Sequence, residues 1–402
     1  MDQQGKTRLA IVSTHPIQYY APLFRLLAAE PLITLKVFYT WSQSKEGPKY
    51  DVDFDRTFEW DIPLLEGYEY EFVQNISKNP GPTHFGGMDN PDLNAKISSW
   101  NPNVLLVFGW NFKSHLSCMR RFHGKIKVWF RGDSTLLDER PGIRKILRRL
   151  FLNWVYGHVD EALYVGESNK AYFRAHGLNE TQLKWVPHAI DNDRFSRNDS
   201  AYEAESRIWR SQLGISEDDL VLIFAGKLEP KKDPGFMLRL ASNISSPKLK
   251  LVIVGNGRLE NELKQKAAGD SRILFLDFQN QQKMPVVYRL GDLFVLPSKG
   301  PGESWGLAVN EAMACGRAAI VSRRSGCAPD LIDQGQTGWS FEPGDSGDMQ
   351  IAALIQKILA DRSVISNVGA SAFQKIKEYS YPVAIKKIDQ LIGEARFAGN
   401  NN

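Results

Sequence analysis

Short runs of β-branched and aromatic residues alternate with amphipathic segments from one end of the 402-residue chain to the other, and no other feature constrains the fold as strongly. Strands separated by helix-length segments are joined by crossovers rather than hairpins, and crossovers build parallel sheets covered by helices. In the first half, strands are predicted at 8–14, 35–40, 104–109, 127–131, 161–165 and 183–187, with helices near 20–30, 140–156 and 167–176. A polar stretch, 189–204, lacks an apolar period and reads as a connection. The same rhythm restarts with strands at 219–225, 249–254, 273–277, 292–297 and 318–322, separated by helices near 233–243, 258–268, 283–290 and 306–315. Pro382 breaks the chain before a last amphipathic segment at 383–396. The expected class is therefore α/β with two doubly wound domains, 1–190 and 191–380, and a final helix, 381–402, that crosses back to the first.

A chain of this length exceeds what one hydrophobic core usually supports, in keeping with two cores. Fifty Lys and Arg against 46 Asp and Glu leave a net charge of +4, too mild to imply nucleic acid as a partner. Cys118, Cys315 and Cys327 are far apart and show neither disulfide nor zinc spacing, which suits a reducing compartment. The amino terminus has no apolar leader core, and no run approaches the ~18 apolar residues of a spanning helix. A cytoplasmic protein is expected, and the sequons at Asn75, Asn179, Asn198 and Asn243 are read as chance.

Residues 292–322 read as strand, Gly/Pro/Ser loop, helix and strand. The first N–H groups of a helix have no intrahelical partner and its dipole favours negative charge, so Gly306, Leu307 and Ala308 are placed to offer amides to a phosphate. Glu303 precedes that helix and Glu311 lies in its second turn. A carboxylate beside a phosphate repels it, so both glutamates suit hydroxyls, such as those of a sugar ring and a ribose. A dipole-matched acid and a solvated helix residue are the alternative reading of the same pair.

At ESWGLAVNEA the stretch resembles retaining glycosyltransferase family 4, the glycosyl transferases group 1, whose signature is two glutamates with seven residues between them on this strand, loop and helix. The resemblance implies the GT-B fold, with two Rossmann-like domains facing a central cleft. It implies that Glu303 contacts a donor sugar, that the intervening amides contact a diphosphate and that Glu311 holds a ribose diol. Ser304 stands where the family more often has glycine.

The likeness runs in order from about residue 185 to about 395. AGKLEPKKD at 225–233 is similar to the family's Gly-Arg-Leu segment, with Lys227 in place of the arginine and Lys232 keeping the lysine. Two cations on a loop leaving a parallel strand can clamp a pyrophosphate and stabilise it as it departs. IVGNGRLENELK at 253–264 resembles the family's Gly-x-Gly turn. The segment around Phe278, Gln279 and Asn280 is implied to recognise a base, and His188 stands where asparagine is usual.

In the first half, STHPIQYYAPL places His15 and Gln18 where a loop meets the first helix, as acceptor or cleft contacts by analogy. Arg131 ends a strand where relatives carry histidine and is expected to contact the cleft, and Asp133 is the candidate for a sugar or acceptor hydroxyl. DVDFD at 51–55 is not a calcium loop, because Arg56 occupies the glycine position and Ile62 that of the bidentate glutamate. Asp51, Asp53 and Asp55 read as a solvated loop, as do Asp191 and Asp193. The segment 140–156 mixes Arg144, Lys145, Arg148 and Arg149 with Ile146, Leu147, Leu150 and Trp154. A surface helix whose apolar stripe packs on the sheet is expected, with peripheral contact to an anionic membrane as the alternative.

The expected activity is retaining, metal-independent transfer of a sugar from a UDP- or GDP-linked donor to a glycan, lipid-linked or small-molecule acceptor, with no cofactor. The catalytic set is Lys227, Lys232, Glu303 and Asp133. A nucleotide-sugar epimerase and a non-catalytic binding subunit are the alternatives. A nicotinamide enzyme is disfavoured because no GxGxxG follows a strand.

Overall fold

The computed structural model describes residues 5–42, 49–51 and 56–399. They form two compact units, the first taking the chain up to Lys49, Ile62–Pro187 and everything from Tyr381 onward, the second taking Tyr50–Asp61 and His188–Ser380.

In the first unit the strands are β1 (Thr7–Ser13), β2 (Ile33–Tyr39) and β5 to β9; between β2 and β5 along the chain comes a separate pair, β3 (Lys49–Asp51) with β4 (Arg56–Phe58), which falls in the second unit except for Lys49. β5 is Glu69–Phe72, β6 Val104–Phe108, β7 Lys127–Arg131, β8 Glu161–Tyr164 and β9 Leu183–Trp185. They pair in the order β5-β2-β1-β6-β7-β8-β9, parallel throughout. Helices cover both faces, so Leu9–Val12 and all of β6 are buried, which explains unbroken apolar runs in place of alternation.

The second unit repeats the plan with β10 (Leu220–Ala225), β11 (Leu249–Val254), β12 (Ile273–Leu276), β13 (Leu293–Leu296), β14 (Ala318–Ser322) and β15 (Gly338–Phe341). The parallel order is β12-β11-β10-β13-β14-β15, with Leu222, Leu251, Val295 and Ile320 packed against Phe236, Leu240 and Ile355. Each sheet reverses its winding beside its own first strand, between β1 and β6 and between β10 and β13. Loops leaving the carboxyl ends of such a strand pair diverge and leave room for a ligand.

Departures from expectation have local causes. The edge strands β5 and β15 were not foreseen, because four residues with two exposed glutamates (EYEF) or a leading glycine (GWSF) carry little strand signal. The stretch 189–204 is largely helical, as Asn192–Ser196 and the start of Asp199–Gln212. Asp191 caps the first by accepting the Arg194 N–H at 3.1 Å, and Arg289 anchors the second through Asp199 at 2.5 Å. Only Ser206 of the longer helix is buried, so no apolar period marks it. In the helix Ile143–Tyr156 the apolar stripe expected on the sheet faces solvent. Leu152, Val155 and Tyr156 pack inward, while Lys145 and Arg149 turn to Glu139. The last helix, Tyr381–Gly399, belongs to the first unit, where the Tyr381 hydroxyl donates to the Tyr19 carbonyl at 2.9 Å. Among the described residues no helix is long and apolar enough to cross a membrane.

Candidate active site

The loop after β10 is held by backbone contacts that only glycine permits. A Cβ on Gly255 (φ +130°) would lie 2.1 Å from the Gly226 carbonyl oxygen, so the Gly-x-Gly turn can press against this loop only without a side chain. The contact lets the Leu228 N–H donate to the Asn256 carbonyl at 2.9 Å, which fixes the backbone beside half-buried Lys227. Pro230–Lys232 then forms a short 3-10 turn ending at Asp233, which adopts φ +48° although it is not glycine. That conformation is locked by Arg239, which donates to the Asp233 carboxylate at 2.8 Å and 3.2 Å.

The loop after β13 is tied to the first, since the Lys299 N–H donates to the Lys231 carbonyl at 2.9 Å. Their meeting places Lys232 Nζ 2.5 Å from Glu303 Oε2, and the fully buried Ser298 hydroxyl donates to the same oxygen at 2.9 Å. Glu303 is 8% exposed, and a charge so withdrawn from water needs both partners to offset its desolvation. Glu303 and Trp305 also accept backbone hydrogen bonds from Gly326 and Cys327, each at 3.1 Å, so the loop cannot swing away.

Gly306 caps the helix Leu307–Ala314 with φ +105°, where a Cβ would lie 2.6 Å from the Leu296 side chain. Leu307 and Ala308 at its start stay partly exposed, while Val309 through Ala314 are buried. Glu311 is 2% exposed and accepts a hydrogen bond from the Tyr288 hydroxyl at 2.6 Å. Asn310 accepts from the Trp305 indole and donates to the His188 carbonyl, both at 2.9 Å. That contact uses the backbone at position 188, while the His188 imidazole lies 5.8 Å from the Trp305 ring. Burial pushes the thiol of Cys327 well up, and all three cysteines are buried and free.

Phe278 is half-buried, with its N–H donating to Asn256 Oδ1 at 2.8 Å. Asn280 donates to the Glu59 carbonyl at 2.6 Å, and the Gln282 N–H reaches the Asp61 carboxylate at 3.1 Å. The segment expected to recognise a base is thus lined by residues from far earlier in the chain. Asp53 and Asp55 of DVDFD lie outside the described residues, and Asp51 ends β3.

In the first unit, the loop between β1 and the helix Ala21–Ala29 carries His15 and Gln18, both half-buried. His15 Nδ1 lies 3.0 Å from the Thr14 hydroxyl, and its ring meets Trp41 edge-on at 5.4 Å. Asp133 is half-buried just past β7. Arg131 is 3% exposed, and its guanidinium donates to the carbonyls of Val186 and Pro187 at 2.9 Å each, so it braces strand ends.

The structure therefore brings together Lys227, Lys232, Glu303, Gly306, Leu307, Ala308 and Glu311, all on the second unit's switch-point loops and the helix that follows. Sequence reasoning missed Ser298, Tyr288 and Asp233, which hold Glu303, Glu311 and the turn at Lys232. Ser298 had a signal, as a small hydroxyl just past the strand LFVL. Tyr288 had none, because its role depends on how its helix packs.

Residues 205–375 match the family model described as glycosyl transferases group 1. The chain is 30% identical over 324 residues to the D-inositol 3-phosphate glycosyltransferase of Mycobacteroides abscessus, covering 72% of this chain and 69% of that protein. It is 27% identical over 210 residues to the sulfoquinovosyl transferase SQD2 of Arabidopsis thaliana, covering 52% of this chain and 39% of SQD2. The structure of HepE from Anabaena in complex with UDP and glucose superposes with a TM-score of 0.70 at 16% identity, covering 96% of this chain and all of that one.

Proposed function

The chain belongs to the glycosyl transferases group 1, with the GT-B fold, and on that premise we propose that it transfers a sugar, with retention of anomeric configuration and without a metal, from a UDP- or GDP-linked donor to a glycan, lipid-linked or small-molecule acceptor. The observation that carries this reading is the pairing of Lys232 with Glu303 at 2.5 Å, beside the start of the helix that bears Glu311.

A glycosyl donor needs its diphosphate stabilised as the anomeric bond breaks, and it needs its sugar and ribose hydroxyls held. Lys227, Lys232 and the amides of Gly306, Leu307 and Ala308 supply positive potential from fixed positions, which acts on the leaving group without reorganisation. Glu303 is assigned to a hydroxyl of the donor sugar and Glu311, steadied by Tyr288, to the ribose diol, since a carboxylate accepts several hydrogen bonds at once. Phe278 and Asn280 are assigned to the base. Retention is consistent with front-face attack, the departing phosphate taking the acceptor's proton while Asp133, His15 and Gln18 hold the acceptor or sugar hydroxyls. Arg131 is a positioning residue in this scheme.

The test is product analysis with a panel of nucleoside diphosphate sugars, with and without candidate acceptors, in chelator. Release of nucleoside diphosphate with a new glycoside of unchanged anomeric configuration is the expected result. Conversion of the donor to its epimer without acceptor would overturn it. So would binding of nucleotide with no turnover against every acceptor class named.

A further inference from the structure

Along the helix Ile143–Tyr156, the residues Ile143, Ile146, Leu147, Leu150, Phe151 and Trp154 recur at the spacing of one helical face, and all are exposed, from 42% at Phe151 to 73% at Ile143. They are six of the thirteen large hydrophobic side chains exposed among the described residues. The fold does not need this face, because the helix is seated by Leu152, Val155 and Tyr156 on the opposite side. Isolated surface leucines call for no explanation, but a contiguous stripe does.

Its surroundings are predominantly basic, although Glu139 at the edge of the helix pairs with Lys145 and Arg149. Between Arg140 and Val159 there are five Lys and Arg and no acidic residue. Arg140 and Arg144 are exposed beside the stripe, and Arg120 of the helix Lys113–Phe122 lies over the Trp154 ring at 5.3 Å, next to exposed Arg121. We propose that this face docks the protein on an anionic lipid surface, with the helix lying in the plane of the interface. The apolar stripe enters the boundary between headgroups and acyl chains, and the arginines keep their charged ends among the headgroups while their stems lie on the apolar zone. A second copy fits less well, because a symmetric contact would set exposed Arg140, Arg144 and Arg148 against their own copies. The inference is independent of which sugar is moved.

The experiment is flotation of the full chain with phosphatidylcholine vesicles, alone or containing about a third phosphatidylglycerol, at low salt and at about 0.5 M salt. Partition onto the anionic vesicles is expected to exceed that onto neutral ones at least tenfold and to fall at high salt. Leu147→Ser with Leu150→Ser, and separately Arg140→Ser with Arg144→Ser, should each lower it at least tenfold. All four positions are exposed, so an unchanged melting temperature verifies the fold. Trp154 emission should shift to shorter wavelength on binding, read as the difference from Trp154→Phe. Absence of flotation, or flotation indifferent to lipid charge or to the serine pairs, overturns the proposal. A dimer in light scattering that the leucine pair dissociates, without flotation, would assign the face to a second copy instead.

Discussion

The ammonium of Lys232 and the carboxylate of Glu303 meet at 2.5 Å between the loops that leave the neighbouring strands β10 and β13. Neither loop holds its charge alone. The Lys299-to-Lys231 backbone bond joins them, Arg239 locks the turn at Asp233, and Ser298 supplies the second partner of Glu303. A lysine fixed in this way is pre-organised for negative charge that grows during a reaction, because no side-chain entropy remains to be lost.

Lys232→Ala should therefore lower turnover more than it lowers ground-state affinity for donor, with one tenfold loss for each ~1.4 kcal/mol of transition-state stabilisation removed. The measurement is turnover at saturating donor together with nucleotide affinity. Equal losses in both would reduce Lys232 to a binding residue, and no loss in either would remove it from the site.

Glu311→Gln should mainly weaken nucleotide binding, by roughly 1.5–3 kcal/mol for a charge-assisted hydrogen bond to ribose. Tyr288→Phe should move affinity in the same direction by less, since it removes only the hydroxyl that steadies the carboxylate. Calorimetric titration with nucleoside diphosphate reads both. An affinity unchanged in Glu311→Gln would rule out the ribose assignment.

Gly306→Ala places a methyl group where only 2.6 Å separates it from the Leu296 side chain, at a φ of +105° that alanine strongly disfavours. A stability loss of about 1–3 kcal/mol is expected, with weaker diphosphate binding as the helix start shifts. Chemical denaturation and nucleotide titration together test it, and a fully stable variant with native affinity would contradict the geometry.

Nucleoside diphosphate binding should persist in chelator, because Lys227, Lys232 and the helix start at Gly306 supply the positive field. Thermal shift shows this directly, as a ligand at a hundred times its dissociation constant stabilises by ~2.7 kcal/mol. Loss of the shift in chelator, restored by magnesium or manganese, would show that a metal carries the diphosphate.

His115 provides a pH signature for the first unit. It is fully buried, Nδ1–H donates to the Phe108 carbonyl at 3.0 Å, and Nε2 lies 3.0 Å from the Thr40 hydroxyl, which suits the neutral ring. Burial lowers its pKa from 6.5 to about 4. The unfolded chain then binds the proton first on acidification, so this contribution is whole above about pH 6.5 and lost as pH falls toward 4, about 3 kcal/mol in all. Unfolding free energies across that window should slope upward with pH, and His115→Gln should flatten the slope. The same slope in the variant would exclude His115 as its source.

The repeated βα rhythm of each half, the Glu303 to Glu311 spacing and the positions of Lys227 and Lys232 were all legible in the amino-acid order. Strand alternation and motif spacing are local properties, and a buried parallel strand such as LVLIFA announces itself without reference to its neighbours. The helix Asp199–Gln212 was not legible, because it is held by ion pairs of Arg289 and Arg317 with Asp199 and Glu203 and not by an apolar face. Arg131 at the end of β7 was legible as a candidate, and only the fold showed that its guanidinium also braces the carbonyls of Val186 and Pro187.

The helix Ile143–Tyr156 marks the boundary between the two kinds of information. Its sequence determined that it would be amphipathic and basic, since periodicity and charge are written along one segment. Which face turns inward was decided by the tertiary structure, where Leu152, Val155 and Tyr156 found the sheet and Glu139 drew Lys145 and Arg149 to its side. In the same way the sequence determined that two glutamates would lie eight positions apart around a helix start, while tertiary packing brought Lys232 to the first and Tyr288 to the second. Partners distant along the chain meet only after the strands have set their order, so no local pattern can encode them.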